Sequence, residues 1–269
     1  MCRLAAFSNL RIKGEWLDYL TLSQGGDGNG FIYPLPDIDM RKTREGKLKH
    51  ELFGNIVVSK WYIEPEVTVE YEFSTIYDFG LAQEVVKPTK KYRLADYEHQ
   101  DINNKAWLLF HTRLASAGAR KLENVHPAIA KNILLMQNGH DVSFTQKLAK
   151  VMNYSYLGTD YHTIAWMIAD GVIKPEMLLL STSNWFVVDL EKSTLTIISA
   201  KEFDPLFFHK SKNGFYIASE PLEINHKGFY FTGIIRFNIT SEGLEILDED
   251  IEVHEGSLLI RKRKRGFEV

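Results

Sequence analysis

The sequence predicts an α+β protein of packed antiparallel sheets with helices outside. Three observations carry that expectation. Segments rich in Val, Ile, Tyr, Phe and Thr fill both halves of the chain, and two helical periodicities stand together in mid-chain. No internal repeat or low-complexity linker divides the 269 residues, so a single domain is expected over 1–269, with 237–269 as a C-terminal β extension and basic tail. Composition agrees with a folded core: 45% of residues are hydrophobic, including 16 Phe, 12 Tyr and 5 Trp, which excludes disorder and collagen-like fibres. A net charge of -3 argues against a general polyanion binder such as a nucleic-acid protein.

The elements follow in order. Arg3 to Leu10 reads as a short buried strand, and Glu15 to Leu22 as a helix with Trp16, Leu17 and Leu20 on one face. Gln24 to Gly30 has four glycines in seven positions and reads as a loop, before an extended stretch at Phe31 to Tyr33. Residues 37–50 are charged. Glu51 to Val86 alternates, as in Val67 to Phe73, and predicts antiparallel strands with one wet face. Ala106 to His111 is another buried strand. Asn132 to Gln137 is a short strand running into Asn138-Gly139, a turn signal. Ser143 and Gln146 have capping-box spacing for a helix carrying Leu148, Val151 and Met152. A second helix begins at Thr159 or Asp160, buries Ile164, Met167 and Ile168, and stops at Gly171. From Met177 onward the pattern is strand after strand.

No stretch of about 18 uncharged apolar residues is available to span a bilayer. The run Leu4 to Phe7 is too short for a secretory signal, and one cysteine in 269 residues excludes an intramolecular disulfide or a thiolate metal cluster. A cytoplasmic protein is expected. None of the nine histidines has metal-ligand spacing, so neither metal nor cofactor is expected.

The single cysteine is Cys2. Removal of Met1 would leave its thiol beside its own free α-amine, whose pKa of about 7.7 to 8 suits it to accept a proton from a thiol of about 8.5. Such a nucleophile carries its own base. The alternative is a small buried hydrophobe at the start of a strand.

Further motifs stand in order: His111-Thr112-Arg113, then Asn124-Val125-His126-Pro127, then Asn138-Gly139, with Asp27-Gly28-Asn29-Gly30 before them and Ala218-Ser219-Glu220 after. With Cys2, this series resembles the glutaminase domain of class II glutamine amidotransferases, the N-terminal-nucleophile hydrolases, and more closely their stand-alone branch. The resemblance spans residues 2 to about 220, each motif weak singly and the ordered set specific. It implies a four-layer αββα sandwich of two mainly antiparallel sheets between helices. It also implies hydrolysis of glutamine, or of a γ-glutamyl amide, through a thioester on Cys2.

The site residues follow from the same resemblance. Cys2, Asn138 and Gly139 would be catalytic, the last two donating a side-chain amide and a backbone N–H to an oxyanion. Arg113 offers a planar fork for an α-carboxylate, and Asp160 a carboxylate for the α-ammonium. Ser116, where many relatives have threonine, would donate a hydroxyl hydrogen bond to substrate. Plainer roles stand beside these: an ion pair for Arg113, a turn for Asn138-Gly139, an N-cap for Asp160. His111 and His126 are expected to satisfy local hydrogen bonds. Ammonia released here would be used by a separate synthase subunit. The rival expectation is a catalytically inactive regulatory or binding protein, favoured by Leu114 and Ala117, where relatives carry larger or polar side chains. The basic run Arg261 to Arg265 is expected to be a solvated tail or a contact for an anionic partner.

Overall fold

A computed structural model describes residues 2–24, 28–34, 47–62, 71–78, 81–88, 106–114, 121–223 and 225–254. The chain begins with β1 (Arg3–Ser8), α1 (Gly14–Gln24) and β2 (Gly28–Pro34), followed by β3 (Lys47–Phe53), β4 (Ile56–Tyr62), β5 (Tyr71–Asp78), β6 (Leu81–Pro88) and β7 (Trp107–Arg113). Past a 3-10 turn, Leu122–Asn124, come β8 (Ala128–Ala130), β9 (Ile133–Gly139), α2 (Val142–Val151) and α3 (Asp160–Ala169). A 3-10 segment, Pro175–Leu180, leads into β10 (Ser183–Asp189), β11 (Thr194–Ser199), β12 (Leu206–Lys210), β13 (Phe215–Ala218), β14 (Gly228–Ile239) and β15 (Leu244–His254).

The predicted four-layer αββα sandwich is not what forms. Twelve antiparallel strands run side by side in one sheet, in the order β3-β4-β2-β7-β1-β13-β12-β14-β11-β10-β9-β8, with β15 added along β14, and the sheet curls into a half-barrel. Strand β14 is the reason the sheet is single. Its first residues pair with β12 (Phe231 with Leu206) and its later ones with β11 (Ile235 with Ile197). Since β15 pairs with both stretches of β14, β12 and β11 must share its opposite edge. Gly233 opens the second stretch, opposite Ser199 of β11, with φ +121, and a Cβ there would stand 2.2 Å from the Asp250 carbonyl oxygen. Only glycine allows that close approach. Helices are also too few for full layers: among the described residues α1 covers one outer face, and α2 and α3 another.

Burial on both faces explains why the central strands read as unbroken apolar runs rather than as alternation. Along β1, Leu4 and Ala6 join the interior of the curl while Ala5 and Phe7 face α1. Along β9, Leu134 and Met136 face the interior while Ile133 and Leu135 face α3. The same alternation sends Trp107 and Leu109 of β7, and Phe186 and Val188 of β10, inward. Trp185 on the outer face is fully buried, and its Nε1 donates to Ser181 Oγ at 2.8 Å. A side chain of that kind contributes about 2 to 3 kcal/mol by burial alone, and the hydrogen bond removes the cost of hiding its N–H.

Several local expectations are corrected. Gly28 and Gly30 belong to β2 rather than to a loop, because they pair with Arg113 and His111 of β7. Asn138 and Gly139 are the last residues of β9, opposite Asn184 and Ser183, and not a turn. The N-cap of α2 is Asp141, so Ser143 lies inside the helix and caps nothing, and Val151 is 78% exposed. Val67 to Val69 and the basic run Arg261 to Arg265 lie outside the described residues. From Tyr71 onward the expected antiparallel strands are β5 and β6, which among the described residues pair only with each other. Thr159 caps α3 and accepts from the His162 N–H, while Gly171, with φ +71, follows the helix end. Position 237 falls within β14, in the body of the sheet. Among the described residues no helix is long and apolar enough to cross a membrane.

Candidate active site

Strand polarity brings Cys2, Arg113 and Asn138 to one end of the curled interior. β1 starts there, while β7, β9 and β13 end there: Arg3 pairs with Thr112, and Leu4 accepts from the Ser219 N–H at 2.9 Å. Side-chain alternation then fixes direction. Arg113 continues the inward series Trp107 and Leu109, and Asn138 continues Leu134 and Met136, while Cys2 and Ser219 stand next to the ends of β1 and β13 and are placed by their hydrogen bonds.

Hydrogen bonds tie these ends together. Ser219 Oγ accepts from the Leu4 N–H at 2.9 Å and from Asn138 Nδ2 at 3.1 Å, so one hydroxyl joins β1 to β9. Asn138 is 2% exposed, and its Oδ1 has no partner among the described residues. Gly139 has φ +144, and a Cβ there would lie 2.0 Å from Ser183 Oγ, so no other residue can end the strand in this way.

Cys2 is 8% exposed, and its Sγ donates to the Leu114 carbonyl oxygen at 3.7 Å. Burial pushes its thiol pKa up, opposed by the Leu114 bond, the chain's amino terminus, Arg113 and Arg3. The thiol is therefore protonated at neutral pH and needs a base to react. Arg113 is buried, at 3% exposure. Ser116 and Ala117 lie outside the described residues.

Asp160 approaches from the outer side of β9. Its Oδ2 accepts from Gln137 Nε2 at 3.0 Å and the Asp141 N–H at 2.7 Å, and its Oδ1 from the Tyr161 N–H at 3.1 Å. Asp141 in turn accepts from the Thr182 N–H and hydroxyl through Oδ1. Apart from Asp160, no motif in the sequence marks this network. Gln137 sits one residue before Asn138 and so faces the opposite way; a polar residue in an otherwise apolar strand was its only signal.

A row of rings backs the site. The ring centroids of His111 and His126 are 4.0 Å apart, those of His126 and Tyr161 4.2 Å, and those of Tyr161 and His162 4.5 Å. Burial lowers the pKa of His111 to about 3 and that of His162 to about 4, and holds that of His126 well below 6.5. All three are neutral at pH 7. His111 Nε2 meets the Gln137 carbonyl oxygen at 3.0 Å and His126 Nδ1 that of Leu135 at 3.5 Å, so both satisfy the main chain of β9. Burial raises the Tyr161 pKa to about 12, and its hydroxyl donates to the Asn124 carbonyl oxygen at 3.1 Å.

No model of a known protein family matches the chain, and no curated protein matches it significantly.

Proposed function

We propose that the chain, with Met1 removed, is an amidohydrolase of the class II glutamine amidotransferase type. The convergence of Cys2, Arg113, Asn138 and Ser219 at one end of the interior is the observation that supports this most directly. The freed α-amine of Cys2 takes the thiol proton, and the sulfur attacks the side-chain amide carbon of glutamine or a γ-glutamyl amide. Asn138 Nδ2 has two hydrogens, of which Ser219 takes one; the other and the Gly139 N–H meet the oxyanion. Collapse breaks the C–N bond, and the α-ammonium returns its proton to the departing ammonia or amine. Water, deprotonated by the same amine, then adds to the thioester and releases the γ-carboxylic acid and the thiol.

Arg113 is assigned to the α-carboxylate of the substrate and Asp160 to its α-ammonium, through the lone pairs its three protein donors leave. Ser116 is assigned a hydroxyl contact with substrate. The ammonia acceptor would be a separate synthase subunit.

One observation favours a second reading, a non-catalytic binding protein: the Cys2 thiol is buried and its pKa raised. Ammonia release from glutamine separates the two. The enzyme reading expects release by the parent and none by Cys2→Ala, with the variant's stability within about 1 to 2 kcal/mol. Release that survives Cys2→Ala would reject Cys2 as nucleophile, and a parent that releases none would favour the binding protein.

A further inference from the structure

We infer that Arg3 and Glu220 are positioning residues, a clamp that fixes the main chain of Cys2 for reaction. The inference rests on Cys2 being the nucleophile. A residue whose base is its own α-amine must have its backbone held as well as its side chain, because the amine moves with the backbone. Cys2 lies just outside the strand ladder, whose first pair is Arg3 with Thr112. Its carbonyl is the handle nearest that amine.

Arg3 takes that handle. Its Nη1 donates to the Cys2 carbonyl oxygen at 3.2 Å, while its Nε donates to Glu220 Oε1 at 2.7 Å. The other carboxylate oxygen, Oε2, accepts from the Tyr19 hydroxyl of α1 at 3.2 Å. The Arg3 and Glu220 side chains are 14% and 19% exposed, so water competes weakly for the pair. Burial and the Glu220 charge push the Tyr19 pKa up, which keeps that hydroxyl a donor. Ser219, the preceding residue, holds Leu4 through both its N–H and its hydroxyl. Two adjacent residues after β13 thus grip two adjacent residues of β1, and through Arg3 the grip extends to Cys2. A guanidinium can reach both acceptors because its donors diverge from one plane; an ammonium offers a single point.

The test combines steady-state kinetics on glutamine with the rate of iodoacetamide alkylation of Cys2, the only thiol in the chain, at fixed pH. Arg3→Ala is expected to lower kcat by about 100-fold with KM within about threefold, as for a misplaced reacting group. Alkylation should speed up by about tenfold or more as the loosened residue opens to solvent. Arg3→Lys should recover part of kcat, and Glu220→Gln should fall in the same direction as Arg3→Ala. The double variant should be no worse than the poorer single one, because the two residues act in series. A kcat and an alkylation rate both within about twofold of the parent in Arg3→Ala would overturn the clamp. So would kcat and KM changing together in proportion to a lowered Tm, the mark of a merely structural ion pair. If the parent releases no ammonia, the nucleophile assignment has failed by itself; alkylation then decides the clamp, and equal rates overturn it.

Discussion

Asn138 is held by Ser219 through one amide hydrogen, and its side chain is buried at the mouth of the interior. Its value to the proposed reaction would lie in the transition state, where charge builds on the carbonyl oxygen. Asn138→Ala should therefore lower kcat by about 100-fold or more and leave KM nearly unchanged. A change confined to KM would make it a substrate-binding residue instead. Arg113 and Asp160 carry a different prediction, because a buried charge left without its substrate partner is costly. N-acetylglutamine should fall about 100-fold or more below glutamine in kcat/KM, and Arg113→Lys should lose activity to a similar extent. Equal rates on the two substrates would remove Asp160 from the ammonium site, and a fully active Arg113→Lys would remove Arg113 from the carboxylate site. Cys2, Arg113 and Asn138 are legible as candidates because each sits in or beside a recognisable motif, and Ser219 only as a member of Ala218-Ser219-Glu220. Gln137 and Asp141 were not: their partners come from α3 and from Thr182, contacts that only the folded chain creates.

Among the elements, the strands were legible through their apolar content and the two mid-chain helices through their period. Their ends were less so. Asn138-Gly139 reads locally as a turn, yet pairing with β10 holds it extended, since Gly139 must pass against Ser183. Asp141 displaced Ser143 as the cap of α2 because its N–H is taken by Asp160 and its carboxylate by Thr182, both supplied from elsewhere. At the start of α3 the local signal is sufficient: Thr159 Oγ1 accepts from the His162 N–H and the Thr159 carbonyl oxygen accepts from the Thr163 hydroxyl at 2.7 Å. Thr159→Ala should cost about 1 kcal/mol in urea unfolding, the usual worth of an N-cap side chain. An unchanged midpoint would assign the cap to the backbone alone. Because Asp160 is the first residue of this helix, the same variant should also raise KM more than it lowers kcat.

For the whole molecule, the single curled sheet was hidden from the sequence because its continuity depends on how β14 is shared. Nothing local to Gly228–Ile239 says that β12 and β11 will meet its same edge. The curl also buries His111 and His126, which makes the fold acid-sensitive. Their folded pKa values lie below the ordinary 6.5, His111 at about 3. Between 6.5 and those values the unfolded chain therefore binds more protons than the folded one, so stability is full above about pH 6.5 and is lost as pH falls below it. From pH 7 to 5.5 His111 should by itself remove about 1 kcal/mol, with His126 acting in the same direction, read as a falling urea midpoint. A midpoint that stays level over that range would mean that the folded protein admits a proton to these rings. The proposed chemistry makes one demand on the molecule that precedes all others, a free α-amine on Cys2. The intact mass of the purified protein measures it: the proposed chemistry requires a chain lighter by one methionine residue, and a chain that keeps Met1 would contradict it.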